Sequence, residues 1–285
     1  MTVEARVEGT WPPTATVARG TKWFFASARH TGYSRRIILA FHHVPGDAYE
    51  DEAAVAVRSF TALAGRLPGC MGVLYDGAFR GTHRDTLARQ GLLVINKQHG
   101  SAHPRAYELL RFARCRHELW CDQGRVAERL LLNDGTTHLL PVPILRLEHR
   151  RGKTKSRWYH LLRIPCRNGV HNHRVPVGIT TTPTDRIAAD PATGRRPPSD
   201  TERGFHRAEH LQHIPQNTLA HQQLYPYRSD TESLHQQLDS SLWNRRMVSY
   251  GLARQKVFIL GFALAHNATS HHLHHANHPT PQNTL

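Results

Sequence analysis

The stretch Leu67-Pro-Gly-Cys-Met-Gly-Val-Leu-Tyr-Asp-Gly-Ala-Phe-Arg-Gly81 sets the strongest limit on what this chain can fold into. A turn at Pro68-Gly69 leads into a short apolar run, Met71 to Tyr75, which stops at Asp76 and Gly77. An apolar run of this length between turn signals marks a strand buried on both faces. Such strands belong to sheets covered by helices, where chemistry gathers at the carboxyl ends of the strands. Asp76 stands at such an end, and Gly77 leaves room beside it for a metal ion or a phosphate. The ordinary alternative is a turn aspartate ahead of the next helix.

The surrounding pattern fits a sheet. Thr21–Arg29 and Arg35–Val44 read as strands joined through Thr31-Gly32, an antiparallel hairpin. Tyr49–Arg66 begins acidic and ends basic, the order that suits a helix dipole. Thr82 to Asp85 offers an N-cap for a short helix stopped by Gly91, and Leu92–Asn96 is a second buried strand. The order β-β-α-β-α-β predicts an α/β (α+β) fold with mixed strand directions. From Ser101 the chain turns β-rich. Arg125–Leu132 and Thr136–Leu147 flank the hairpin signal Asn133-Asp134-Gly135, and Ser156–Ile164 adds a strand. Residues 180–204 have the composition of a linker. Helical spacing returns at Phe205–His213 and runs from Ser229 to Ala265, after which the histidine-rich tail is expected to fray. The domain plan is a loose arm (1–20), a first core segment (21–100), a β-rich insertion with its linker (101–204), C-terminal core helices (205–266) and a disordered tail (267–285).

Lysine and arginine total 37 against 22 aspartates and glutamates, a net charge of +15. An excess of this size favours a polyanionic partner, nucleic acid before anionic lipid. No apolar run is long enough to span a membrane and no secretory leader is evident, so no membrane partner and a cytoplasmic location are expected. The basic loop Arg150, Arg151, Lys153, Lys155 and Arg157, followed by Trp158 and Tyr159, is a candidate DNA contact. Basic side chains at a hairpin tip reach phosphates and aromatics stack on bases, giving affinity without sequence specificity. The plainer reading is a solvated turn.

Four irregularly spaced cysteines do not make a disulfide framework in a chain this long. Cys115-x-His117-x3-Cys121 is the best local metal-like cluster, with Cys166, His171 and His173 available to complete it. Zinc sites more often use C-x2-C pairs, and a buried, unligated thiol is the common alternative. The run His271-His272-Leu-His274-His275 would bind metals only adventitiously.

Tyr225, Arg228 and Glu232 follow the spacing Tyr-x2-Arg-x3-Glu. Ser229 and Glu232 alone would make a capping box, while Arg228 and Glu232 together could face one ligand at a helix start. This spacing resembles the signature of bacterial insertion-sequence transposases of the DDE type, and Val73-Leu-Tyr-Asp76 resembles the context of that family's second catalytic aspartate. The resemblance implies a ribonuclease H-like mixed sheet flanked by helices, with a β-rich insertion before the last catalytic helix. It implies Mg²⁺-dependent cleavage and transfer of DNA strands, with Asp76 and Glu232 as metal ligands in a two-metal site. Arg228 would hold a phosphate and Tyr225 would pack near the same DNA. Transposon ends and target DNA, a homodimer and association with the nucleoid belong to the same expectation. The family's lysine seven positions after the glutamate is here Asp239, and Arg245 or Arg246 would take its DNA contact. No aspartate precedes Asp47, so the first catalytic aspartate is missing and a truncated beginning is expected. The alternatives are a non-catalytic DNA-binding remnant and a zinc-stabilised interaction module.

Overall fold

The computed structural model describes residues 2–4, 21–29, 36–45, 51–100, 102–153, 155–178, 200, 202, 204–242 and 246–277. The elements begin with β1 (Thr2–Glu4), β2 (Lys22–Arg29), β3 (Arg36–Val44), α1 (Glu52–Arg66), β4 (Gly72–Leu74), α2 (Gly81–Arg89) and β5 (Leu93–Ile95). Seven strands follow: β6 (Arg105–Phe112), β7 (Cys115–Asp122), β8 (Arg125–Leu131), β9 (Thr137–Pro141), β10 (Ile144–Arg151), β11 (Ser156–Cys166) and β12 (Gly169–Pro176). The helices α3 (Arg207–His210), α4 (Leu219–Leu224), α5 (Ser229–Ser241) and α6 (Leu252–Asn277) close the described chain. The fold is mixed α+β, and the chain divides into two compact units. One contains residues 1–63 and 228–285, the other residues 64–227.

The first unit is built on β2. Its neighbours β1 and β3 both pair with it antiparallel, so its two edges are occupied. Successive side chains of a strand point to opposite faces. Trp23 and Phe25 therefore share one face with Ile38 of β3, and there they meet Leu234 and Leu238, one turn apart along α5, Leu242 just after it, and Ile259 and Ala263 of α6. Phe24 points the other way and meets the ring of Phe60 in α1 edge-on at 5.7 Å. Burial on both faces explains why Trp23-Phe24-Phe25 carries no polar interruption. Thr2–Glu4, within the arm expected to be loose, is a strand because β2 presents a row of backbone groups that need partners.

The tail beyond Asn267 was expected to be disordered, but α6 continues to Asn277. Asn267 supplies the reason. Its amide nitrogen donates to the carbonyl of Ile38 at 2.9 Å and its oxygen accepts from the Ile38 N–H at 2.8 Å. The side chain acts as a short extra strand against β3, and His266 Nε2 meets the Arg36 carbonyl at 3.2 Å alongside it.

In the second unit β4 and β5 run parallel, joined through α2, and the N–H of Tyr75 extends the ladder to the Ile95 carbonyl at 3.1 Å. The β-rich part forms a four-stranded antiparallel sheet, β6-β7-β8-β9, and a three-stranded one, β10-β11-β12. The stretch read as one strand, Thr136–Leu147, is two. Val142 donates to the Val126 carbonyl in the first sheet, and the next residue, Pro143, accepts from Arg163 in the second. The prolines at 141 and 143 lack N–H groups, so ladder pairing cannot run through them and the chain changes sheets there. Between the sheets lie Leu110, Leu119, Cys121, Val126, Leu162, Ile164 and Val175, with Phe205 and Leu211 added from the chain that follows.

The helix expected over Phe205–His213 is a single turn. Leu211 forms a parallel bridge with Gly124, and Gln212 donates its amide to the Asn96 carbonyl at 2.7 Å. Gly124 has φ +81°, and a Cβ there would lie 2.3 Å from Gln212 Oε1. Only glycine fits that turn.

Candidate functional site

Tyr225–Arg228 forms a 3-10 turn that feeds directly into α5. A capping residue needs extended backbone, and Arg228 is already helical at φ −60°, ψ −36°. The Ser229–Glu232 capping box is therefore not made. Glu232 pairs instead with Arg228, Nη2 to Oε1 at 2.6 Å, one helical turn apart on the same face. Two arginines of the hairpin hold the helix start in place. Arg29 donates to the Asp230 carboxylate, and Arg36 donates to the Asp230 carbonyl, the Ser233 hydroxyl and Gln237 Oε1. Glu232 itself remains 55 % exposed and open to an incoming group.

Asp76 follows β4 as expected, and its Oδ1 accepts the N–H of Ala78 at 2.9 Å. The carboxylate thus shapes its own turn, and the flanking residues Tyr75 and Phe79 stack on each other with ring centres 3.9 Å apart. Asp76 and Tyr225 belong to the second unit, Arg228 and Glu232 to the first. Tyr225 stacks on His221 at 4.8 Å, with Lys97 Nζ 5.5 Å from its ring.

The basic loop is the turn between β10 and β11. Arg150, Arg151, Lys153, Lys155 and Arg157 are all exposed. Of the adjoining aromatics, Trp158 does not point outward for stacking on bases. Trp158 stacks on His149 at 4.2 Å and packs against the core between the sheets. Tyr159 lies between Arg150 and Arg174, each 5.8 Å from its ring centre. Strand alternation turns Trp158 inward and Tyr159 to the opposite face, where it is half-buried between the two arginines, so the loop offers charge with one aromatic ring set among it. Arg246 is exposed, and Arg245 lies outside the described residues.

A second cluster sits where two hairpin turns meet. The β6–β7 turn places Cys115 and His117 on one face of β7, and the β11–β12 turn brings Cys166 and His171 to the same spot. One ligand atom from each of these four residues lies within 4.8 Å of the other three. His171 Nε2 is 3.1 Å from Cys115 Sγ and 3.2 Å from Cys166 Sγ. His117 Nδ1 is 2.6 Å from Glu128 Oε1, which leaves its buried Nε2 without a hydrogen-bond partner. The Phe112 ring stacks on His171 at 3.9 Å. Asn168 ties the turns together, its side chain donating to the Arg114 carbonyl at 2.7 Å and its N–H to Cys166 Sγ at 3.3 Å. Burial and the neighbouring Cys166 thiol push the Cys115 thiol above its usual range. Cys121 and His173, grouped with these residues in the sequence, are elsewhere. Cys121 is packed in the core, and His173 pairs with Glu108 at 3.1 Å.

Comparison with protein-family models, with curated proteins and with solved structures returns no match. Among the described residues no helix is long and apolar enough to cross a membrane.

Proposed function

We propose that the chain is a DDE-type transposase core that acts on DNA phosphodiesters, with two of that family's three catalytic carboxylates matched and a ribonuclease H-like scaffold beneath them. The observation that carries this reading is the Arg228–Glu232 pair, presented on one face at the start of α5 and braced by Arg29 and Arg36. In chain order α5 follows paired strands, a helix, a strand closed by Asp76 and a β-rich block, the order the Tyr-x2-Arg-x3-Glu resemblance implies. By that resemblance Asp76 and Glu232 would each offer carboxylate oxygens of the hard kind that Mg²⁺ takes. Mg²⁺ held by such carboxylates would supply activation of the attacking oxygen and stabilisation of the leaving oxygen at phosphorus. Arg228 would exchange Glu232 for a DNA phosphate, a charge-assisted contact its planar guanidinium suits. Tyr225 would pack near that phosphate, and the β10–β11 turn with Arg246 would add affinity through its charge.

A non-catalytic DNA-binding remnant is the second reading, favoured by the ion pair that already engages Glu232. One experiment separates the two. The full chain is assayed for Mg²⁺-dependent cleavage and strand transfer on labelled DNA, beside Asp76→Ala and Glu232→Gln. Activity lost in both variants with DNA binding intact supports the enzyme. Binding without cleavage in all three proteins supports the remnant, and no binding at moderate salt ends both readings.

A further inference from the structure

Cys115, His117, Cys166 and His171 have a geometry that the DNA reading does not use. From it we infer that these four side chains bind one Zn²⁺ ion as a closed structural site clamping the β6–β7 turn to the β11–β12 turn. Zinc in structural sites takes four Cys and His ligands in a tetrahedron, with Zn–S about 2.3 Å and Zn–N about 2.0–2.1 Å. Those bond lengths put neighbouring S and N ligand atoms about 3.5 Å apart. The two His171–cysteine separations, 3.1 and 3.2 Å, are within a small adjustment of that edge.

The second observation is His117. Its ring is buried, and Nδ1 hydrogen-bonds to the Glu128 carboxylate, which places the proton on that nitrogen. Nε2 is left buried without a hydrogen-bond partner, in the same cluster as two thiols and a second imidazole. A carboxylate behind a histidine ligand is the usual outer arrangement in metal sites, fixing the tautomer and the ring. An unligated histidine in this position would leave a buried ring nitrogen unsatisfied, which is costly. Cys121, on the same strand, is instead packed among the leucines and valines of the core.

Four protein ligands leave no open position, so the site is structural rather than catalytic. Binding releases one proton from each thiol, so Zn²⁺ with two thiolates and two neutral imidazoles carries no net charge. That neutrality suits a tip already carrying the exposed arginines Arg111, Arg114, Arg116 and Arg167. Arg111 and Arg116 are directly opposed across β6 and β7, an unfavourable like-charge pairing that a cross-link between the turns would hold closed.

The test uses the full chain purified without a histidine tag. Elemental analysis should find about one zinc per chain. Replacement by Co²⁺ should give the intense visible bands of a tetrahedral site together with thiolate-to-cobalt charge transfer in the near ultraviolet. With zinc present, iodoacetamide should label Cys70 and spare Cys115 and Cys166, and a chelator should expose both together. Cys166→Ser should remove the metal and Cys70→Ser should keep it, while Glu128→Gln should weaken binding about 10–100-fold. The alkylation and cobalt measurements need no variant, so a misfolded mutant would not spoil the answer. A metal-free chain, a Cys115–Cys166 disulfide, or a cobalt spectrum lacking thiolate bands would overturn the assignment. In the last case the metal would lie on the terminal histidines, where His271 and His275 approach to 3.1 Å. None of these readouts depends on DNA binding or cleavage, so the zinc site and the transposase reading stand or fall separately.

Discussion

His213 is buried against Trp158 and His160, with Nδ1 accepting from the Val94 N–H and its carbonyl accepting from His160 Nε2. Burial, with the nearby His160 and Arg84, lowers its pKa to about 3. Burial lowers that of His160 as well. An unfolded histidine takes up its proton near pH 6.5, so between that pH and about 3 the unfolded chain binds protons the folded one does not. The stability these residues contribute is complete above pH 6.5 and is lost as the pH falls toward 3. Urea midpoints followed by circular dichroism should drop from pH 7 to pH 5, with a smaller drop in His213→Asn. Asp200 makes a second buried commitment, its Oδ1 2.8 Å from Arg207 Nη2 with both side chains nearly inaccessible. Asp200→Ala strands that guanidinium and should cost about 3–5 kcal/mol in the same assay. At this scale the metal cluster was half legible. The sequence grouped the right cysteines and histidines but added Cys121, which lies four residues beyond His117. Along a strand that separation is about 13 Å, too far for one ion, and only knowing the segment is a strand removes it.

Helix α6 gains its place from Asn267 as much as from its apolar residues. With both hydrogen bonds to Ile38 lost, Asn267→Ala should destabilise the chain by about 1–3 kcal/mol and speed amide exchange in α6 past Ala265. Nothing in the composition of the tail announces this, because one asparagine against a strand edge leaves no periodic mark. The strands β2 and β3, the helix α1 and the pair β4 and β5 were legible, since turn signals and apolar runs agree there. Strands β6 and β7 were not. Their turn at Ala113-Arg114 has no turn residue, and the β7–β8 turn places Gln123 at φ +48°, where asparagine would have been the readable choice. The Asn133-Asp134-Gly135 hairpin, with ordinary turn chemistry, was read correctly. The Ser229 cap was misread because a 3-10 turn ahead of α5 continues the helix backward, and local spacing cannot distinguish a cap from an interior position.

For the whole molecule the net charge of +15 sets the expected behaviour with polyanions. Each phosphate neutralised adds roughly 0.9 to the slope of log affinity against log salt on duplex DNA. If the β10–β11 turn contacts the backbone, replacing Lys153 and Lys155 by alanine should shallow that slope by up to about 2 and weaken all sequences alike. Fluorescence anisotropy across a salt series measures it, and an unchanged slope would leave the turn merely solvated.

The passage through Pro141-Val142-Pro143 has one more implication. Because a single uninterrupted length of backbone serves as a rung in both β-sheets, neither can peel away while its neighbour stays intact. A nick or an inserted residue at that seam would throw the two ladders out of step together, and loss of structure should spread through all seven strands as one event.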